Sequence, residues 1–441
     1  MPKPVFAALA ACLLLLTGCG TDRHMADQIT DLNKAQQRAA IQVMLLNVLR
    51  ARAKEPLAYS HLDVLRGGLS AEAGIAFTLP FGNNNGGGRS AAPFLSLGPG
   101  VSQDLTPHDD QDFYRGILTP VTPETWALYQ DQNWPPELLF HLFVEDFKIQ
   151  DSSYDRMLDD IRTACSVNGG VEEVASHCRL RDSLEKQISE IPTCAPIVHV
   201  LSGQRTYEFS NDPGRHCNQM QFESFMHGLL ILGFHISKQD DNLLLGPVFN
   251  RANPSSTMDW PFKLKDSDIK IVKVQGGFQV VEVKSSYLVH LVNLPCPGSA
   301  NIAIAAQSEV GAAVRSGETA AAAQCKDGPG GLNIAITTRS PDGMIYYLGE
   351  VARALLPLDP GKTPMPVTVR SGSGAEHPLM LIETGDDDDA VASVDFEGET
   401  YSIRQGTGDL TLQTFELLQQ IFALYNKAPS APATTAVTVV P

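Results

Sequence analysis

Past its first twenty residues the chain lacks any run long and apolar enough to cross a bilayer as a helix, which takes about 20 nearly continuous apolar residues. The nearest, GLLILGF at Gly228–Phe234, is far shorter. Positive charge is also scarce: 33 Lys and Arg stand against 50 Asp and Glu, a formal net charge of −17. Nucleic-acid binding needs clustered cations to neutralise phosphates, so that partner class is excluded. A polybasic attachment to anionic lipid is excluded on the same ground. Local catalytic signatures are missing as well. No G-x-S-x-G elbow, H-E-x-x-H, S-x-x-K set or strand-borne G-x-G-x-x-G occurs. No solenoid or propeller repeat is visible. No residue is therefore assigned to catalysis, to a metal or to a cofactor, and the balance points away from an enzyme.

What is present begins at the N-terminus. Lys3 supplies a positive charge, Val5–Leu16 is uninterruptedly apolar, and Leu16-Thr17-Gly18-Cys19 follows. The apolar run suits a signal-peptide core and is too short to span a membrane. The four-residue segment resembles the lipobox of bacterial lipoproteins. The resemblance implies that the Cys19 thiol receives a diacylglycerol, that the chain is cut before Cys19, and that the new amino terminus is acylated, commonly with palmitate. Several acyl chains anchor stably where one is marginal. Gly20, rather than Asp, follows the modified position, which by the same resemblance implies the outer membrane, facing the periplasm.

Of eight cysteines, Cys12 leaves with the signal and Cys19 takes lipid, leaving Cys165, Cys178, Cys194, Cys217, Cys296 and Cys325. An even set in an exported chain reads as disulfides. Their spacing favours neighbours: Cys165–Cys178, Cys194–Cys217 and Cys296–Cys325. HC occurs twice, at His177–Cys178 and His216–Cys217. The close ligand pairs of familiar zinc sites are absent, so the cysteines are assigned to disulfides rather than to zinc.

Periodicity predicts an α+β protein: a long N-terminal helix, a mixed strand and helix middle, and a C-terminal β-α-β-β-β-α unit. The expected divisions are a signal peptide (1–18), an N-terminal helical region with a Gly-rich extended segment (19–150), a disulfide-containing α+β region (151–298), an Ala/Gly-rich linker (299–330), a C-terminal α+β domain (331–428) and a flexible tail (429–441).

The helix over Asp27–Lys54 carries Ile29, Leu32, Ala35, Ala39, Val43, Leu46 and Ala53 at helical spacing. Ile41, Met44, Leu45 and Val48 widen its apolar face, so it is expected to be buried. Thr122-Pro123 and Ser340-Pro341 are N-cap and N1 pairs. GFHIS and NLLLGPVF around KQDDN suggest a hairpin, as does the Glu397-Gly398 pair after Phe396. LMLIE is expected to be a strand, and Leu412, Phe415, Leu418 and Phe422 are expected to align on the closing helix.

HDDQD (His108–Asp112) and DDDD (Asp386–Asp389) are read as solvated acidic loops rather than metal sites. GNNNGGGR (Gly82–Arg89) is a glycine loop without the G-K-[ST] ending of a phosphate loop. His227 and His235 flank an apolar helix-to-strand transition and read as core or boundary residues.

The blocks LLNVLRARAKEPLAY, QDFYRGILTPV, WPPELL, RSPDGMIYYLGEV and LLQQIFALYNK resemble segments of uncharacterised Gram-negative lipoproteins. That resemblance carries no activity and no catalytic residue. Two classes of function remain. The first is a lipid-anchored, non-enzymatic binding or assembly component at the outer membrane, held by its lipid and joined to an envelope protein. The second is a lipid-anchored periplasmic hydrolase acting on envelope material, marked by a deep cavity gathering perturbed acids or a His–Ser pair.

Overall fold

The computed structural model describes residues 18–78, 90–107, 111–168, 170–201, 203–249, 269–275, 277–293, 300–305, 332–357, 363–370, 376–385, 389–404, 406 and 410–425. Side chains are not described for stretches that include 18–29, 60–107, 240–249 and 282–286. The expected signal segment before Gly18, the expected glycine loop at 82–89, most of both acidic runs, the expected Cys296–Cys325 pair and the expected flexible tail lie outside the described residues.

The fold is α+β, and the chain separates into two compact units. The smaller covers Pro56–Arg115. Strands β1 (Ser60–Thr78) and β2 (Ser90–Pro107) form a two-stranded antiparallel ribbon there. A register shift near Leu62 is followed by regular pairing from Val64↔Asp104 to Thr78↔Ser90.

The larger unit begins with α1 (Gly18–Ala53) and resumes at Gly116. Among the residues of α1 whose side chains are described, only those in its second half are buried. Ile41, Leu45, Val48, Leu49 and Arg52 are buried, whereas residues 33–38 are exposed. The predicted stripe through Ala35, Val43 and Leu46 is thus not the packing face. The reason is that α1 packs against α8 (Pro341–Leu355) and β14 (Ala390–Phe396), and its described buried side chains all lie from Ile41 onward. Gly349 makes this approach close: a Cβ there would lie 2.5 Å from the Ala51 Cβ. The end of α1 is satisfied by a cation, because Arg353 donates to the carbonyls of Ala51 and Arg52.

Helices α2 (Gln111–Ile117), α3 (Pro123–Asp131) and α4 (Pro136–Phe143) lead into β3 (Val144–Gln150). The Thr122 hydroxyl accepts from the Thr125 amide, the cap that the Thr-Pro pair predicts. Next come α5 (Asp151–Asn168), α6 (Glu172–Glu190), β4 (Ile197–Leu201), β5 (Gln204–Ser210) and α7 (His216–Ile231). A five-stranded sheet has the order β4-β5-β3-β10-β9, where β9 is Ala300–Ala305 and β10 is Leu332–Thr338. Only β9 and β10 run parallel. The Ala-rich stretch expected to be a linker therefore begins as a sheet strand, and the first strand of the C-terminal segment joins the middle region's sheet.

The core is aromatic where β3 and β5 meet α7. Phe147 lies 5.0 Å from Phe222 and 4.8 Å from Phe225, and Phe209 lies 4.7 Å from Phe225. Two disulfides bind the helices of this layer, Cys165–Cys178 between α5 and α6 and Cys194–Cys217 onto the start of α7. Each contributes about 3–4 kcal/mol in the chain-entropy view. Disulfides of this kind match an oxidising, extracytoplasmic compartment.

The predicted hairpin around KQDDN is instead one continuous strand, β6 (Phe234–Phe249), paired with β8 (Gly277–Leu291), which also pairs with β7 (Ile269–Val274). The segment lacks a glycine or proline to reverse it. Its polar residues instead meet a polar stretch of β8, Gln239↔Ser286 and Asp241↔Lys284. After α8, β11 (Thr368–Arg370) and β12 (Glu376–Pro378) pair, and β13 (Glu383–Thr384), β14 and β15 (Glu399–Arg404) form a small sheet. LMLIE is mostly not strand; Leu379, Met380 and Ile382 are buried core instead. Glu397 and Gly398 have φ of 51° and 85°, the left-handed pair a two-residue hairpin requires. The closing helix α9 (Thr411–Tyr425) buries Phe415, Leu418 and Ile421, with Leu412 and Phe422 only half-buried. No described helix is long and apolar enough to cross a membrane.

Candidate functional site

A buried charged group stands at each end of helix α4. Pro135-Pro136 starts it and fixes Glu137 in its first turn, where the helix dipole favours a carboxylate. Glu137 is only 4% exposed. Two histidines from other helices meet it: His177 of α6 and His227 of α7, both buried. The Nδ1 atoms of His177 and His227 stand 3.1 Å apart. Glu137 Oε1 lies 3.5 Å from the first and 3.8 Å from the second. Three donor atoms of metal-ligating type thus converge from three helices, within the disulfide-tied layer.

A cavity of about 240 Å³ opens beside the cluster, lined by Glu137 and His227 together with His216, Glu223 and Glu376. Neither lysine nor arginine is among its described lining residues. Glu223 precedes His227 by one helical turn, so both face the same side of α7. Burial pushes the Glu223 carboxyl up to about 7; Glu137 and Glu376 add to the shift, and a hydrogen bond from Gln219 opposes it.

At the other end of α4 the buried group is a cation. Arg339, directly after β10, donates to the carbonyls of His141, Val144 and Asn211. Its guanidinium lies 4.1 Å from the Tyr347 ring centre. Asn211 Nδ2 donates to the same His141 and Val144 oxygens, each at 2.9 Å. Burial lowers the Arg339 pKa to about 10. His141, between the two ends, is fully buried, and its Nδ1 lies 3.3 Å from the Tyr347 hydroxyl. Burial, then Arg339, lowers its pKa to about 3, so it is neutral. A larger cavity of about 480 Å³ adjoins this end, lined by Glu145, Asp212, Ser340, Tyr346 and Glu350 beside Arg339. The Ser340 hydroxyl is occupied in capping α8 through the Gly343 amide.

The residues singled out in the sequence separate clearly. Cys178 and Cys217 are in disulfides, so neither HC pair offers a thiolate. His177 and His227 come together, whereas His235 is exposed and contacts Gln130. Glu137 was not singled out at all. The one local signal was Glu223-x-x-x-His227 on a helix, which puts a carboxylate and an imidazole on one face. Cys19 lies at the start of α1, with its side chain outside the described set. Comparison with protein-family models, curated proteins and solved structures returns no match for this chain.

Proposed function

We propose that the chain is a lipid-anchored envelope protein that works by binding and assembly at the outer membrane. The observation carrying this reading is the β1–β2 ribbon. Its register puts odd positions of both strands on one face. In β1 these include Leu65, Leu69, Ala73, Ile75 and Phe77; in β2 they include Leu95, Leu97 and Val101. Arg66, Ser70, Glu72 and Thr78 fall on the other face, opposite Ser102, Gly98, Ser96 and Ser90. Gln103 interrupts the first face, and Val64, Ala76, Ala92 and Phe94 interrupt the second.

This alternation continues past the roughly 9–11 residues that a membrane-spanning strand needs. A two-stranded ribbon is marginal alone in water, and in lipid its outer edges must be paired. Among the described residues no third strand joins it. Strands of an envelope partner complete it, copies of this chain being the simplest partner. The lipobox and the two disulfides support the same compartment.

The test uses the full-length protein in outer-membrane fractions. Cys19→Ala should abolish labelling by a palmitate analogue. A cysteine at Ala73 should be shielded from a water-soluble maleimide, whereas one at Glu72 should react, and cross-linking should recover a specific partner or oligomer. Equal reactivity at both positions, with nothing specific cross-linked, refutes the reading.

One observation favours a hydrolase instead: the cavity gathers Glu137, Glu223 and Glu376 with His216 and His227. A carboxyl poised near neutrality suits general acid–base work. Hydrolysis of envelope-derived ester, amide or glycan substrates that is lost in Glu223→Gln would establish this second reading; equal rates in both proteins would dismiss it.

A further inference from the structure

We propose that Glu137, His177 and His227 form a binding site for a divalent transition-metal ion of zinc type, with a coordination position open to the adjoining cavity. The argument starts from the spacing of the three donor atoms, 3.1, 3.5 and 3.8 Å. A triangle with these sides has a circumradius of about 2.0 Å, so one point lies at a zinc–ligand distance from all three atoms. At a bond length of ~2.1 Å the three edges subtend about 95°, 113° and 130°, which average near the tetrahedral angle. Ligands on one face of an octahedral ion would stand only about 3.0 Å apart on every edge. The geometry therefore favours a four-coordinate ion.

The donor chemistry agrees. Two imidazoles and one carboxylate are borderline nitrogen and oxygen ligands, a set that zinc accepts with water in the fourth position. Glu137 and His227 line the cavity while His177 does not, so solvent reaches the ion from one side. Glu223 and Glu376 line the same cavity and add negative potential around a cation. The scaffold is held before metal arrives. Cys178, next to His177, ties α6 to α5, and Cys217 ties the start of α7 to the loop beyond α6. Preset ligands lower the ordering cost of binding. The competing account is a core trio held by hydrogen bonds, in which one Nδ1 carries a proton that the other accepts. It requires no metal, and that difference can be measured. The proposal does not depend on the lipid anchor or on the ribbon.

The full-length protein, purified in detergent, is stripped with a chelator, desalted and titrated with zinc chloride. The expected result is one zinc per chain by elemental analysis, with a higher thermal midpoint that a chelator reverses. Glu137→Gln and His227→Gln should each weaken binding by about 100-fold or more, since direct ligands outweigh the ~10–100-fold losses seen for outer-shell partners. His199→Gln, at an exposed histidine paired with Glu208, should leave binding unchanged. X-ray absorption on the zinc-loaded wild type gives an answer independent of any variant's folding. It should show a nitrogen and oxygen shell near 2.0 Å with two imidazoles. No stoichiometric zinc, a sulfur-containing or imidazole-free shell, or unaltered affinity in a folded Glu137→Gln,His227→Gln double variant would each overturn the proposal.

Discussion

The two ends of helix α4 both bury charge, and they settle it by different means. At the C-terminal end the Arg339 guanidinium is consumed by the main-chain carbonyls of His141, Val144 and Asn211, the first two shared with the Asn211 side chain. At the N-terminal end Glu137 faces side chains, the Nδ1 atoms of two imidazoles 3.5 and 3.8 Å from its Oε1. A charge spent on backbone is part of the scaffold. A charge gathered with other side-chain donors beside a cavity has the makings of a binding centre. The same eight-residue helix thus joins a structural cluster to a candidate binding centre, with the dipole-favoured sign at each end.

Breaking the structural end should have the largest effect. Arg339→Leu removes one of the two donors to the His141 and Val144 carbonyls, takes the guanidinium donor from the Asn211 carbonyl, and should destabilise the fold by about 3–5 kcal/mol, as read by chemical denaturation. Asn211→Ala removes two donors to carbonyls that Arg339 also serves, so a loss of about 2–3 kcal/mol is expected in the same assay. If both changes prove neutral, the contrast between the two ends fails.

Acid titration sharpens the comparison because the two sides carry opposite slopes. His141 is neutral when folded, with a pKa lowered to about 3, while the unfolded chain takes up a proton near pH 6.5. Its contribution is therefore intact above pH 6.5 and is lost as pH falls toward 3. At pH 5 the loss should be about 2 kcal/mol, and His141→Gln should abolish that part of the slope. Glu223 runs the other way. Its carboxyl, raised to about 7, holds a proton in the fold that the unfolded chain releases near pH 4.5, so stability declines as pH rises through this window. In chelator-treated protein, Glu223→Gln should gain about 3 kcal/mol at pH 8 and nothing below pH 4. Parallel pH profiles for the two variants would show that the ends of α4 do not differ as described.

The sequence announced features whose cause is local. Ser340-Pro341 and Thr122-Pro123 cap their helices because a hydroxyl and a fixed φ act within one turn. Glu397-Gly398 turns a hairpin because both residues adopt positive φ. The α+β mixture followed from periodicity. Features that depend on tertiary pairing were hidden. KQDDN resembles a turn until β8 is known to lie alongside it. The buried face of α1 is decided by Gly349 and its neighbours, some 300 residues away. The donor cluster was illegible for the same reason. Glu137, His177 and His227 occupy three helices at long separations, and each taken alone resembles an ordinary buried polar residue.

The disulfide between Cys165 and Cys178 has a consequence for timing. His177 is the immediate neighbour of Cys178, so the bond that closes α5 onto α6 also fixes the segment that presents one imidazole. A newly made chain with reduced thiols lacks that brace. The Glu–His–His arrangement therefore becomes fully constrained only once the Cys165–Cys178 bond has formed, which makes oxidation a step in building the cluster and not merely a brace on the finished fold.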